Sequence, residues 1–213
     1  MGGEHQHIPH VTQMLPLPPQ TPYGNLSLKW MKIVFRLIRL NRMVPTAYHL
    51  HTRVVSLTQS VAPSPIEELS HFLEEIVYWL RKTADELIGL SFLCEACLRG
   101  NPIPTKVDVD CIGELLNGDH LALQVQFAAH IAHLRLLNDI SNAYKHSFIN
   151  SDLNVVGSDE LVLYALTLQR NDLSKNEAFV AVALGTIVRD FDAFFQTAKS
   201  YVQTWPTNIQ PTV

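Results

Sequence analysis

Apolar residues recur every three or four positions along several long stretches of this chain, which is the period of an α-helix that buries one face. The longest stretch predicts a helix from 65 to about 99, roughly nine turns long. Ser64 and Pro65, followed by two glutamates, supply its start, and Gly100 followed by two prolines supplies its end. A second long helix is predicted over 119–149, a stretch without proline or glycine.

Three further helices follow from the same period. A basic helix over 27–43 is expected to end at Pro45, because a proline disfavours the helical conformation in the residue before it. A short helix is predicted over 108–117, and an amphipathic helix over 186–203.

After residue 150 the pattern changes to short runs that are rich in β-branched residues. The runs at 153–156 and 160–169, separated by Gly157, predict a β hairpin at about 153–169. The run at 177–184 fits either a third strand or the start of the last helix, and its β-branched content favours a strand.

Together these elements predict a mainly α fold, an antiparallel helical bundle with a small C-terminal β hairpin. Four segments are expected along the chain. They are a disordered or loosely attached Pro/His-rich N-terminus at 1–26, a basic helical arm at 27–63, the helical-bundle domain at 64–203 and a tail at 204–213.

Composition describes a globular protein, with 47% hydrophobic and 17% charged residues. Three cysteines are too few and odd in number for a disulfide framework, which favours a reducing, cytoplasmic setting. The apolar run at 33–40 is short and interrupted by arginine, so no transmembrane segment is expected.

The net charge of −4 hides an uneven distribution of charge. Residues 5–66 contain six Lys or Arg and no acid, whereas residues 67–213 contain 10 basic and 19 acidic residues. The basic side chains of the first helix are Lys29, Lys32, Arg36 and Arg39. They could contact an anionic membrane surface or nucleic-acid phosphates. The interpretation that we favour is an ordinary helix packed on the acidic body with its charges solvated.

Polar side chains form a stripe along the second long helix, and its members are Arg135, Asn138, Asn142 and His146. They lie within about 80° of one another on a helical wheel. A solvated helix face explains such a stripe, and so does a functional site. The two asparagines favour a site, because asparagine is a poor helix former.

Antiparallel packing of the two long helices would place residue 71 beside residue 148. That register would bring Glu68, His71 and Glu75 towards the end of the polar stripe. The candidate catalytic residues are therefore His146, Lys145 and Asn142. The candidate binding residues are Arg135, Asn138, Glu68, His71 and Glu75.

A long helix pair whose second member ends in an Arg/Asn/His segment resembles the HEPN superfamily of helical bundles. The segment NAYKH at 142–146 is also similar to uncharacterised bacterial proteins with an Asn-Ala-x-Lys-His segment. The HEPN resemblance implies either a metal-independent RNase or a non-catalytic binding module. Its catalytic pattern is Arg, a polar residue, then His one to two turns on. Here Leu136 follows Arg135, and His146 lies 11 positions away, about 16 Å along a helix, which argues against RNase activity.

Metal sites have weaker support in the sequence, and we predict neither a metal nor a cofactor. His130 and His133 lie on the apolar side of their helix, where a hydrogen-bonded core histidine is the commoner case. Cys94 and Cys97 have metal-ligand spacing but lie in a leucine-flanked helix, not in a zinc knuckle. A metal-binding bundle that uses His71, His130 or His133 stays an alternative.

The sequence therefore favours a HEPN-like binding or accessory module that forms a homodimer and binds RNA or another protein. The first alternative is a metal-independent RNase, or another enzyme acting on nucleic acid, that uses His146. No phosphate-binding loop or other common catalytic motif is present.

Overall fold

The computed structural model describes residues 8, 13–56, 64–146, 160–167 and 178–206. The fold is mainly α, with helices packed together and one antiparallel two-stranded sheet near the C-terminus, as predicted. The elements are α1 (Leu26–Val55), α2 (Pro65–Leu98), α3 (Ile112–Asn117), α4 (Leu121–Gln126), a 3₁₀ turn (Ala128–His130), α5 (Ile131–His146), β1 (Val162–Thr167), β2 (Ala178–Ala183) and α6 (Leu184–Gln203).

Helix α2 is the centre of the bundle. It packs against α1, α3, α5 and α6. Its apolar period places Leu73, Ile76, Leu80 and Leu87 in the core. The predicted bounds of this helix and of α6 are confirmed to within two residues.

Helix α1 continues through Pro45 to Val55, so the prediction that Pro45 ends it is wrong. A proline inside a helix costs about 3 kcal/mol through a lost hydrogen bond and a clash with the preceding turn. Pro45 lies on the exposed side, while Leu40, Val44 and Leu50 around it are buried. Burial of apolar side chains both before and after the proline offsets its cost.

Residues 13–25 pack on the bundle, so for this part of the chain the structure differs from the loosely attached N-terminus predicted over 1–26. Leu15 and Leu17 are buried. The Trp30 indole Nε1 donates to the Gln13 carbonyl at 2.9 Å, and the Ser27 hydroxyl donates to the Leu17 carbonyl at 2.7 Å. These bonds tie residues 13–25 to the first turns of α1.

The second long helix is divided, so the prediction of one helix over 119–149 is wrong. The chain forms α4, then a 3₁₀ turn, then α5, with the break at Phe127. The Phe127 ring is fully buried and lies 5.3 Å from the Phe194 ring of α6, centroid to centroid. Packing of one aromatic side chain thus outweighs the helix propensity of the surrounding residues. The predicted end of this helix beyond residue 146 lies outside the described residues.

The observed sheet pairs β1 with β2, antiparallel, with Val162 opposite Ala183 and Leu166 opposite Phe179. Both β1 and β2 were predicted as strands. The predicted hairpin, however, paired β1 with residues 153–156, which lie outside the described residues. Alternate β1 residues Leu163 and Ala165 are fully buried, and β1 packs on α5. The sheet thereby covers α5 on one side and leads into α6.

Candidate functional site

The C-terminal half of α5 runs antiparallel to α2. The Arg81 Nη1 donates to the Asn142 carboxamide oxygen at 3.1 Å, and the Lys145 ammonium lies 5.4 Å from the centre of the Tyr78 ring. The register estimated for straight helices would place Asn142 beside residue 77. The actual register differs by about one helical turn.

A cleft of about 340 Å³ lies between these two helices, and we call it the α2–α5 cleft. It is lined by His71, Glu74, Glu75, Val77, Tyr78, Ser141, Tyr144 and Lys145. Three of the predicted site residues, His71, Glu75 and Lys145, therefore line one surface. Glu68 is exposed on the first turn of α2 and is not among the described lining residues. The His146 side chain lies outside the described part of the chain.

Lys145 is the cationic group of the cleft. Partial burial lowers the pKa of its ammonium, and repulsion by Arg81 lowers it further. Its position over the Tyr78 ring is a cation–π contact. Burial raises the pKa of the neighbouring Tyr144 hydroxyl, so that phenol stays protonated at neutral pH.

Glu75 already has partners on the rim of the cleft. Its Oε1 accepts a hydrogen bond from the Trp79 indole at 3.0 Å and forms an ion pair with Arg39 of α1. Glu74 and His71 are exposed beside it. The cleft therefore combines acidic, basic and aromatic side chains without a strong excess of one charge.

Arg81 is the residue that sequence reasoning missed. Its side chain is only 17% exposed, and its Nε lies 3.9 Å from Asp85 Oδ2. Asp85 Oδ1 in turn accepts the Ile112 backbone N–H at 2.9 Å, which holds the start of α3. Burial raises the pKa of Asp85, and the Ile112 N–H and Arg81 oppose that shift. The available signal was the four-residue spacing of Arg81 and Asp85, which places the two side chains next to each other on one face of a helix.

The predicted polar stripe does not form one site. Asn142 is engaged with Arg81, whereas Arg135 is exposed and interacts with Asp139 one turn further along α5. Asn138 is half-buried and its side chain hydrogen-bonds Asp139. Because α5 is continuous from Ile131 to His146, Arg135 stays about 16 Å along the helix from residue 146.

Helix α1 packs on the acidic body through two of its arginines. The Arg36 guanidinium binds both carboxylate oxygens of Glu86, at 2.9 and 3.2 Å, and lies 5.3 Å from the centre of the Trp79 ring. Arg39 stacks on the same ring from 5.5 Å. Lys29 and Lys32 remain exposed. No helix in the described parts of the chain is long and apolar enough to cross a membrane.

The histidines and cysteines do not assemble a metal centre in the parts of the chain that the structure describes. His130 Nε2 lies 2.8 Å from the Thr197 hydroxyl, within hydrogen-bonding distance. His133 is buried, and neither ring nitrogen has a hydrogen-bond partner among the residues that the structure describes. Cys94 and Cys97 are buried free thiols, and burial raises the pKa of Cys94 to about 11. They behave as core residues, not as reactive groups.

Comparison of the chain with protein-family models, with curated proteins and with solved structures found no match. The structure itself defines the class of the protein, a helical bundle with a short antiparallel hairpin.

We predict that His133 makes the bundle less stable in acid. Burial lowers the pKa of its imidazole to about 4, so the unfolded chain binds a proton between pH 6.5 and 4 that the folded chain does not. The free energy of unfolding is therefore unaffected by the protonation of this histidine above pH 6.5. It falls as the pH falls, by about 2 kcal/mol between pH 7 and pH 5. Urea unfolding at these two pH values measures the loss.

The variant His133→Leu should remove that part of the pH dependence, because leucine does not titrate and leaves no unpaired ring nitrogen. His49→Leu, at an exposed position of α1, is the matched control and should keep the wild-type dependence. An unchanged pH dependence in His133→Leu would contradict the assignment.

Proposed function

We propose that this protein is a HEPN-like helical module that binds a partner through the α2–α5 cleft and does not cleave RNA. The observation that carries the proposal is the cleft itself, where Lys145 lies over Tyr78 beside exposed His71 and Glu74. Exposed aromatic and charged side chains in a concave surface are typical of recognition sites.

Two features favour binding over catalysis. Asn142, one of the three candidate catalytic residues, uses its carboxamide oxygen to accept from Arg81. Arg135 lies about 16 Å along α5 from position 146, too far for both residues to act on one phosphate. The alternative of an RNase that uses His146, Lys145 and Asn142 therefore has less support.

A protein segment suits the cleft better than RNA does. Glu74 lies exposed on its wall, and its carboxylate would repel phosphates. A polypeptide can offer a basic side chain to Glu74, an acidic one to Lys145 and an apolar one to Tyr78. The partner that we propose is therefore a peptide segment of mixed charge.

The variant His146→Ala tests for RNase activity. We expect wild type and variant alike to leave single-stranded and hairpin RNA intact in EDTA, because Asn142 is bonded to Arg81 and Arg135 lies about 16 Å along α5 from position 146. His49→Ala serves as the control for loss of an exposed histidine. Cleavage by wild type and by His49→Ala that disappears in His146→Ala would contradict the binding-module proposal and support the RNase.

We also propose that the protein forms a homodimer through the outer face of α4 and the start of α5. Leu121 and Val125 on α4 are 71% and 67% exposed, and Ala128 and Ala132 after the break at Phe127 are also exposed. An exposed apolar face of this kind is typical of an interface. Asp119 precedes it and Arg135 follows it, so two antiparallel copies would pair opposite charges and place large residues against alanines.

Replacement of both residues in Leu121→Ser/Val125→Ser should convert the dimer to a monomer, because it removes the largest apolar side chains of this face. Light scattering after size-exclusion chromatography gives the mass. The matched control is Leu28→Ser, at a 50% exposed position of α1, and it should stay dimeric. A monomeric wild type, or a dimeric double variant, would contradict the proposed interface.

A further inference from the structure

A second cleft, of about 570 Å³, lies between the first turns of α1, the C-terminal half of α2 and residues 105–110. We call it the lysine cleft, because Lys29, Lys32, Lys82 and Lys106 all line it. It shares no lining residue with the α2–α5 cleft in the described part of the chain. Its size is that of sites for small organic ligands.

Two of the acids that line this cleft, Asp85 and Glu86, have cationic or N–H partners outside the cleft. Both Glu86 oxygens are bound by Arg36, at 2.9 and 3.2 Å, on the side of Trp79. Asp85 accepts the Ile112 N–H and lies beside Arg81. These carboxylates therefore have little free charge to offer to the lysines.

Lys29, Lys32 and Lys82 are not fully neutralised by nearby carboxylates, whereas Lys106 is. Lys106 is paired with Asp108 at 2.7 Å. Lys82 is 3.7 Å from a Glu86 oxygen that Arg36 already binds. Lys29 and Lys32 make no ion pair among the described residues, and they lie three residues apart on the face of α1 that borders the cleft.

Opposing them is Asp110, an exposed carboxylate on the far rim. Three ammonium groups against one carboxylate leave a local excess of about two positive charges.

The floor of the lysine cleft is apolar. It is formed by Ile33 of α1 and by Leu90 and Leu93 of α2, all of them buried. Gly89 lies beside them and contributes no side chain. The Tyr23 hydroxyl donates to the Pro104 carbonyl at 2.8 Å. This bond holds the chain before α1 against the segment 105–110 that forms the remaining side of the cleft. An anionic group at the rim and a carbon skeleton on the floor would both be accommodated.

We propose that the lysine cleft binds a small organic phosphate, with the phosphate between Lys29, Lys32 and Lys82 and the carbon skeleton on Ile33, Leu90 and Leu93. Phosphate fits these ammonium groups because lysine binds it as a compact point charge without a fixed geometry. An apolar skeleton fits the floor because binding there removes the surface of the skeleton itself from water.

Isothermal titration calorimetry with 1-naphthyl phosphate tests the proposal, since this probe carries a dianionic phosphate on an apolar ring. We expect saturable binding at submillimolar concentration that weakens as NaCl is added, because salt screens the lysines. Inorganic phosphate and 1-naphthol, which each hold one half of the probe, should bind at least about tenfold more weakly.

Two variants separate the halves of the site. Lys29→Gln/Lys32→Gln should weaken the probe about tenfold, whereas Arg42→Gln/Arg53→Gln should not. The control removes the same charge from exposed positions of the same helix. Gly89→Leu should weaken 1-naphthyl phosphate but not inorganic phosphate, because it adds a bulky side chain to the lining and reduces the space left for the ring. A Cβ at position 89 would lie 3.7 Å from the Asp110 Cα, in ordinary van der Waals contact.

Absence of saturable binding by the probe would overturn the proposal, as would equal weakening by the two double variants. Equal affinity for inorganic phosphate and the probe would overturn the role of the apolar floor. Circular dichroism of each variant establishes that the helical fold is retained.

Discussion

The bundle depends on the burial of α2, which packs against α1, α3, α5 and α6. At 34 residues this helix is about 50 Å long, and its apolar positions face more than one neighbour. Polar side chains that share those faces therefore need partners inside the bundle. Thr83 and Ser91 donate back to carbonyls of α2, at 2.7 and 2.8 Å.

Arg81 cannot satisfy its guanidinium within α2. Its Nη1 donates to Asn142 of α5. Its Nε lies 3.9 Å from Asp85 Oδ2 and makes no hydrogen bond among the described residues. Asp85 in turn holds the start of α3. A buried arginine is costly unless its donors are paired, so this network constrains how α5 sits on α2. The α2–α5 cleft begins one turn beyond it, where the same two helices present Tyr78 and Lys145.

The arginines of α1 perform a related task on another side of α2. Arg36 and Arg39 bind Glu86 and Glu75 and stack on Trp79, so the excess positive charge of the N-terminal part meets the acidic part of the chain. The lysines one and two turns earlier are not used in this way. Lys29 and Lys32 therefore stay exposed on the face of α1 that borders the lysine cleft.

Helical period was sufficient to predict α2, α6 and the mainly α class, because those helices bury a continuous apolar stripe. It could not predict that α1 passes Pro45 or that the chain breaks at Phe127, since both depend on what packs around those residues. Antiparallel packing of the two long helices was enough to predict that His71, Glu75 and Lys145 lie around one cleft. The Arg81–Asn142 bond could not be predicted, because it depends on the register of α5 on α2, which local sequence does not determine.

Asn142 is a structural partner of Arg81, and their bond sets the positions of the two helices that wall the α2–α5 cleft. A double-mutant cycle of Arg81→Met and Asn142→Ala, measured by urea unfolding, tests it most directly. The bond predicts a coupling free energy of about 1–2 kcal/mol, as expected for a partly buried hydrogen bond to a charged group. Additive losses, with a coupling below about 0.3 kcal/mol, would contradict the claim.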